Sequence, residues 1–183
     1  MNFKGYTILN ESKKSKDVTV IFLSARAKST KKDSNSMFFF EEAAKKAGVK
    51  MITVDPSSAS ISGNDGKHKI VDHNGGKNEY TVSPQNCVVF TRRTCLKNSE
   101  SKDFVREMER LGYVMINSLD TMEICEDKFV TYKKLKAANI STPQTVVVSS
   151  SSMNKLDEKV QSIGGRFPIV AKILEGTQGS GVM

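Results

Sequence analysis

In the stretch Phe167–Met183, FPIVAKILEGTQGSGVM, one cation interrupts an apolar run and three glycines follow it. The run Pro168–Leu174 has the length and β-branched content of a buried strand. Lys172 sits inside it, where an ammonium is expensive to bury without an anionic partner. Beyond Glu175, Gly176, Gly179 and Gly181 fall in the spacing G-x-x-G-x-G, interleaved with Thr177, Gln178 and Ser180. Glycine lets the backbone approach a ligand closely, and successive free N–H groups in such a loop form a nest for phosphate oxygens. A strand lysine beside that loop could grip a polyphosphate. The same residues also read as a hairpin turn whose lysine reaches solvent along its aliphatic stem, and they do not by themselves separate the two.

Spacing removes the commoner phosphate loops. A P-loop needs G-x-x-x-x-G-K-[ST], and no lysine follows Gly181. The dinucleotide fingerprint wants G-x-G-x-x-G leading into a helix, and here the glycine order is reversed. Gly176–Gly179 does satisfy the GXXG of an RNA-binding KH module, but a KH loop joins two helices, whereas this one leaves a strand.

The elements that must hold these residues follow from periodicity. Residues 1–17 read as a loose arm, Val18–Leu23 as a buried strand and Ser24–Ser36 as a Ser/Lys-rich loop. A helix over Met37–Ala47, capped by Asn35 or Ser36 and stopped by Gly48, leads to a strand at Val49–Asp55, which makes a βαβ unit with parallel pairing. His68–Asp72 and Glu79–Val82 alternate around Asn74-Gly75-Gly76 as a hairpin. Cys87–Thr91 is a third buried strand with Arg92 and Arg93 at its carboxyl end, the end where open α/β sheets gather ligands. An amphipathic helix over Ser101–Leu111 and a strand over Tyr113–Ile116 complete an α/β unit of residues 18–117. Residues 118–183 are organised differently. They hold a short helix at Leu119–Cys125, a helix opened by Asp127-Lys128, a short strand at Thr145–Val148, a Ser149–Ser152 linker and a helix ending at Gly164-Gly165.

Composition bounds the chemistry. The 183 residues can bury a core, and no run approaches the ~18 apolar residues of a membrane span. The start lacks the apolar h-region of a secretory signal. Cys87, Cys95 and Cys125 form no C-x-x-C and are expected as reduced thiols in a cytoplasmic protein. His68 and His73 flank a turn and carry little weight as metal ligands. The net charge of +8 divides as +5, +1 and +2 over residues 1–60, 61–120 and 121–183. Such a spread predicts only weak, salt-sensitive binding to nucleic acid with no sequence preference.

Laid in order, the motifs resemble the RimK-type ATP-grasp ligases of the alpha-L-glutamate ligase kind. Four features carry the likeness: Arg92 closing the strand Val88–Thr91, Gly112 with Asn117, Asp127-Lys128 followed by a helix and Pro143-Gln144-Thr145, and the stretch from Phe167 to Val182 with its E-G-T-Q-G-S-G-V after the strand lysine. The resemblance implies a Rossmann-like pre-ATP-grasp domain with a parallel sheet, followed by the start of an ATP-grasp fold. It implies formation of a carboxylate–amine bond with ATP and Mg²⁺ through an acyl phosphate, glutamate typically being added to a peptide or small acid. It assigns Lys128 and Lys172 to the ATP phosphates, Glu175–Gly181 to the loop that folds over them, and Arg92 to the cleft as a substrate contact. The family pattern places the metal ligands and the acceptor-binding residues after the point where this sequence stops. The resemblance therefore predicts an N-terminal portion that is inactive alone, whether a truncated reading frame, a fragment or one half of a split protein with a separate C-terminal half as partner, with an apolar edge left exposed at its last strand. Two other readings are a non-catalytic remnant serving as an interaction surface and a basic RNA-binding module using the GXXG loop.

Overall fold

Thr19–Leu23, TVIFL, forms β1, and the consecutive burial of Ile21, Phe22 and Leu23 means that both of its faces are covered. The structure, a computed structural model, describes residues 18–25, 36–74, 76–92, 95–96, 98–174 and 182. The arm at residues 1–17 and most of the loop expected at Ser24–Ser36 lie outside them, as does Asn35, one of the two expected caps. Ser36, the other, is the first residue of α1 (Ser36–Ala47), which ends at Gly48.

β1 pairs in parallel with β2 (Lys50–Val54) on one side and with β6 (Cys87–Thr91) on the other. β6 pairs in parallel with β7 (Val114–Ile116), giving the sheet order β2-β1-β6-β7. One face of this sheet carries an aromatic triad, with Phe22 stacked on Phe90 at 5.3 Å and Phe40 of α1 5.1 Å and 5.2 Å from the two rings. Between β6 and β7 runs α2 (Ser99–Arg110). Its N-cap Asn98 accepts the Ser101 N–H at 3.0 Å, and it buries Ser101, Phe104, Val105 and Met108, a stripe at i, i+3, i+4 and i+7.

Between β2 and β6 the chain inserts an antiparallel sheet of β3 (Ala59–Ser62), β4 (His68–Asp72) and β5 (Asn78–Val82). The hairpin was legible, but β3 was not. Its sequence, ASIS, has little strand character alone and is recruited by pairing with β4. Two buried carboxylates pin this sheet to the end of β2. Asp72 accepts the Asp55 N–H at 2.9 Å and the Ser58 hydroxyl at 2.8 Å, while Asp55 accepts the Ser57 hydroxyl at 2.6 Å and the Asn74 amide at 2.7 Å. Each carboxylate is thereby compensated for its desolvation.

The chain divides into two compact units, Met1–Leu119 and Asp120–Met183. The division falls at the start of α3 (Leu119–Glu126). The second unit continues with α4 (Lys128–Ala137), a 3₁₀ segment at Ser150–Lys155 and α5 (Leu156–Ser162). Two expectations fail here. Thr145–Val148 is irregular rather than a strand, and Pro168–Leu174 is not a buried strand. Phe167 is 81% exposed and Val170 63%, and the run has one isolated antiparallel bridge, Lys172 to Val182. An apolar run is buried only where other elements cover it, and none of the described residues in this unit is buried.

Candidate functional site

In the four-stranded sheet the order reverses between β1 and β6, since β1 leads to β2 on one side and the chain later returns to β1's other side. The carboxyl ends flanking such a reversal are where open α/β sheets bind ligands. Ser24 is buried directly after β1, its N–H on the Val54 carbonyl at 3.0 Å. Thr91 closes β6 and Arg92 follows it, half-buried, its guanidinium carbon 5.9 Å from the centroid of the Phe22 ring. The aromatic triad therefore supports the arginine's charged head by a cation–π contact. Arg93, the second arginine of this edge, lies outside the described residues.

The edge holds one polar atom that the motifs did not reveal. The Thr91 hydroxyl is buried with no hydrogen-bond partner among the described residues, an uncommon state for a buried polar group. Its position as the last residue of a central strand was the available signal. The Arg92 carbonyl accepts both the Cys95 N–H at 3.0 Å and its thiol at 2.7 Å.

The second unit positions the lysines. Asp127 is the N-cap of α4, its carboxylate accepting the Phe129 and Val130 N–H groups at 2.7 Å and 2.9 Å. Lys128 is consequently the first helical residue. Its backbone N–H and its ammonium both donate to the Leu174 carbonyl, at 3.3 Å and 3.1 Å. That carbonyl lies two residues from Lys172, so α4 and the strand-like run are clipped together across a sequence separation of 46. Lys172 itself is exposed, and the burial cost that first singled it out is absent. Its bridge to Val182 brings together the two ends of the glycine-rich segment. Glu175, Gly176, Thr177, Gln178, Gly179, Ser180 and Gly181 lie outside the described residues.

Among the described residues no group of three or more His, Cys, Asp or Glu could hold a metal ion. The thiols are free, Cys125 exposed on α3 and the other two buried. Burial pushes the Cys87 thiol up and that of Cys95 up to about 11, against the partial offset of its backbone hydrogen bonds. At pH 8 the thiolate fraction of Cys95 is therefore about 10⁻³. Iodoacetamide should add one carbamidomethyl group to the native chain, at Cys125, and two more only after denaturation, as read by intact mass. Rapid native labelling at two or three sites would contradict the burial of Cys87 and Cys95.

The first unit is thus a mixed α/β domain with Arg92 at the carboxyl edge of its parallel sheet, and in the second Lys128 opens α4 and holds the Leu174 carbonyl. No protein-family model matches the chain. Over 79 residues it is 33% identical to the probable alpha-L-glutamate ligase of Shewanella loihica and 34% identical to that of Vibrio atlanticus. It is also 33% identical over 79 residues to the enzyme of that name from Coxiella burnetii. Each match covers 43% of this chain and 25% of the relative, so the chain spans about a quarter of the length of the curated relatives it matches. The resemblance carried by the motifs is thus found again in proteins that bear the glutamate-ligase name.

Proposed function

We propose that the chain is the N-terminal portion of a RimK-like, ATP-grasp carboxylate–amine ligase that uses ATP and Mg²⁺. In this reading residues 18–117 are a Rossmann-like pre-ATP-grasp domain and residues 118–183 open the ATP-grasp fold. The enzyme joins glutamate or a similar amino acid to a peptide or small acid whose carboxylate has been activated by phosphorylation. The observation that supports the reading is the clip of Lys128 onto the Leu174 carbonyl, two residues along the chain from Lys172. Phosphoryl transfer is catalysed chiefly by positioning and by charge placed where negative charge develops. Lys128, Lys172 and the loop Glu175–Gly181 are suited to that work on the ATP phosphates. Arg92, with its planar fork of donors, suits a substrate carboxylate.

The described residues do not fit Mg²⁺, because they gather no carboxylate cluster. We therefore assign the metal no ligand and no step in this chain. The free thiols, together with the absence among the described residues of any helix long and apolar enough to cross a membrane, support a cytoplasmic setting as part of the same proposal.

Nucleotide binding tests the reading directly. A fluorescent ATP analogue should bind saturably by anisotropy and be displaced by ATP or by tripolyphosphate, and not by adenosine. Lys128→Ala or Lys172→Ala should each weaken it about tenfold, equivalent to ~1.4 kcal/mol. Binding that is indifferent to both lysines would remove them from the site. Displacement by RNA in preference to tripolyphosphate would favour the RNA-binding module.

A further inference from the structure

A basin of about 620 Å³ opens in the first unit between the β3–β4 turn, the β5–β6 turn and the last turn of α2. β6 and β7 are parallel and α2 connects them, so α2 runs back to the amino edge of the sheet before β7 begins. The basin lies at that amino edge, away from Thr91 and Arg92 at the carboxyl edge. Its polar side chains are those of Asn64, Asp65, His68, Gln85 and Arg110.

His68 is only 5% exposed, yet it lines the basin. Its Nδ1 lies 2.9 Å from the hydroxyl of Tyr113, which is also buried. Burial pushes the phenol's pKa up, so the phenol keeps its proton. A protonated phenol can donate to Nδ1, and the imidazole tautomer that accepts it carries its own proton on Nε2, which is the tautomer a basin-bound acceptor selects. Nε2 has no partner among the described residues and is the ring nitrogen left for the basin.

Gln85 is turned the same way. Its carbonyl oxygen accepts the Ser83 hydroxyl, which leaves its NH₂ group beside Gly66. The glycine leaves room for that approach, since a Cβ at Gly66 would lie 3.1 Å from Gln85 Nε2. Arg110 completes the donors. Its Nε and Nη2 hold Glu107 at 2.7 Å and 2.6 Å, leaving Nη1 for another acceptor. One acid, Asp65, also lines the basin, in the left-handed conformation at φ 56°.

A basin whose lining includes His68, Gln85 and Arg110 as donor groups and Asp65 as its carboxylate is complementary to a molecule that carries both an anion and an ammonium. We infer that this basin binds a small zwitterion of the α-amino-acid class, its carboxylate on His68, Gln85 and Arg110 and its ammonium on Asp65. The site stands apart from the proposed ligase reaction and uses none of its residues. Glu107 already balances part of the Arg110 charge, so the affinity belongs in the millimolar range.

The test is a ¹H–¹⁵N titration of the 183-residue chain with L-alanine and with N-acetyl-L-alanine. L-Alanine should shift amides at residues 63–68, 85 and 110–111, with half-saturation at about 1–10 mM. His68→Ala endangers the core, so two rim variants carry the test. Arg110→Gln removes a donor, and Asp65→Asn removes the charge while tolerating the left-handed backbone. Each should weaken binding at least about fivefold, and acetylation of the amine should do the same. The inference is overturned by the absence of saturable shifts up to about 50 mM, by unchanged binding in both variants, or by equal binding of the acetylated compound.

Discussion

On the proposed ligase reading, Lys172→Ala should lower ATP-dependent ligation by the whole enzyme about 10²-fold, the usual cost of removing one preorganised donor from a developing charge. Lys45→Ala should leave the rate within about twofold, since Lys45 is an exposed residue in the last turn of α1 with no assigned role. The comparison isolates position from charge, because both changes delete one ammonium. ADP release with a suitable acid and amine is the measurement, and the 183-residue chain alone should give none. Equal effects of the two substitutions would remove Lys172 from the reaction, and ligation by the chain alone would show that its catalytic groups lie elsewhere.

Phe22→Ala should destabilise the first unit by about 3–5 kcal/mol, the range for deleting a large buried aromatic. The ring is 1% exposed and is held by both Phe90 and Phe40, so little of the vacated space can collapse. Phe22→Leu keeps most of the volume and should cost clearly less. Both variants take away the aromatic face beneath Arg92, worth about 0.5–2 kcal/mol to the cation. Urea unfolding gives the stabilities. A loss under ~1 kcal/mol in Phe22→Ala would mean that the triad is not packed as described.

Much of the first unit was legible because its signals are local or periodic. TVIFL and CVVFT are continuous apolar runs, and α2 shows an apolar stripe with a cap in front. The Asp127 cap was equally plain, and it correctly fixed where Lys128 sits. What escaped depended on partners distant in sequence. ASIS is a strand only because β4 lies beside it, and Thr91 became notable only once its hydroxyl was found unpaired. FPIVAKIL failed in the opposite direction, for composition shows that a segment can be buried and not what will cover it. The clip between Lys128 and Leu174 was beyond any local pattern, since it joins a helix start to a carbonyl 46 residues away.

The placement of β1 has a consequence for the order in which the molecule can be made. β1 needs β2 on one side and β6 on the other, and Thr19 pairs with Cys87, 68 residues later. On a ribosome, β2 is complete at Val54, but β6 is not complete until Thr91. At 5–20 residues per second that interval lasts about 2–7 s. Through it the nascent chain carries its most apolar strand with one edge open, and the intervening hairpin forms before the sheet it will be pinned to is closed. Slowing synthesis between codons 55 and 91 should thus increase misassembly, and speeding it should improve the yield of folded protein.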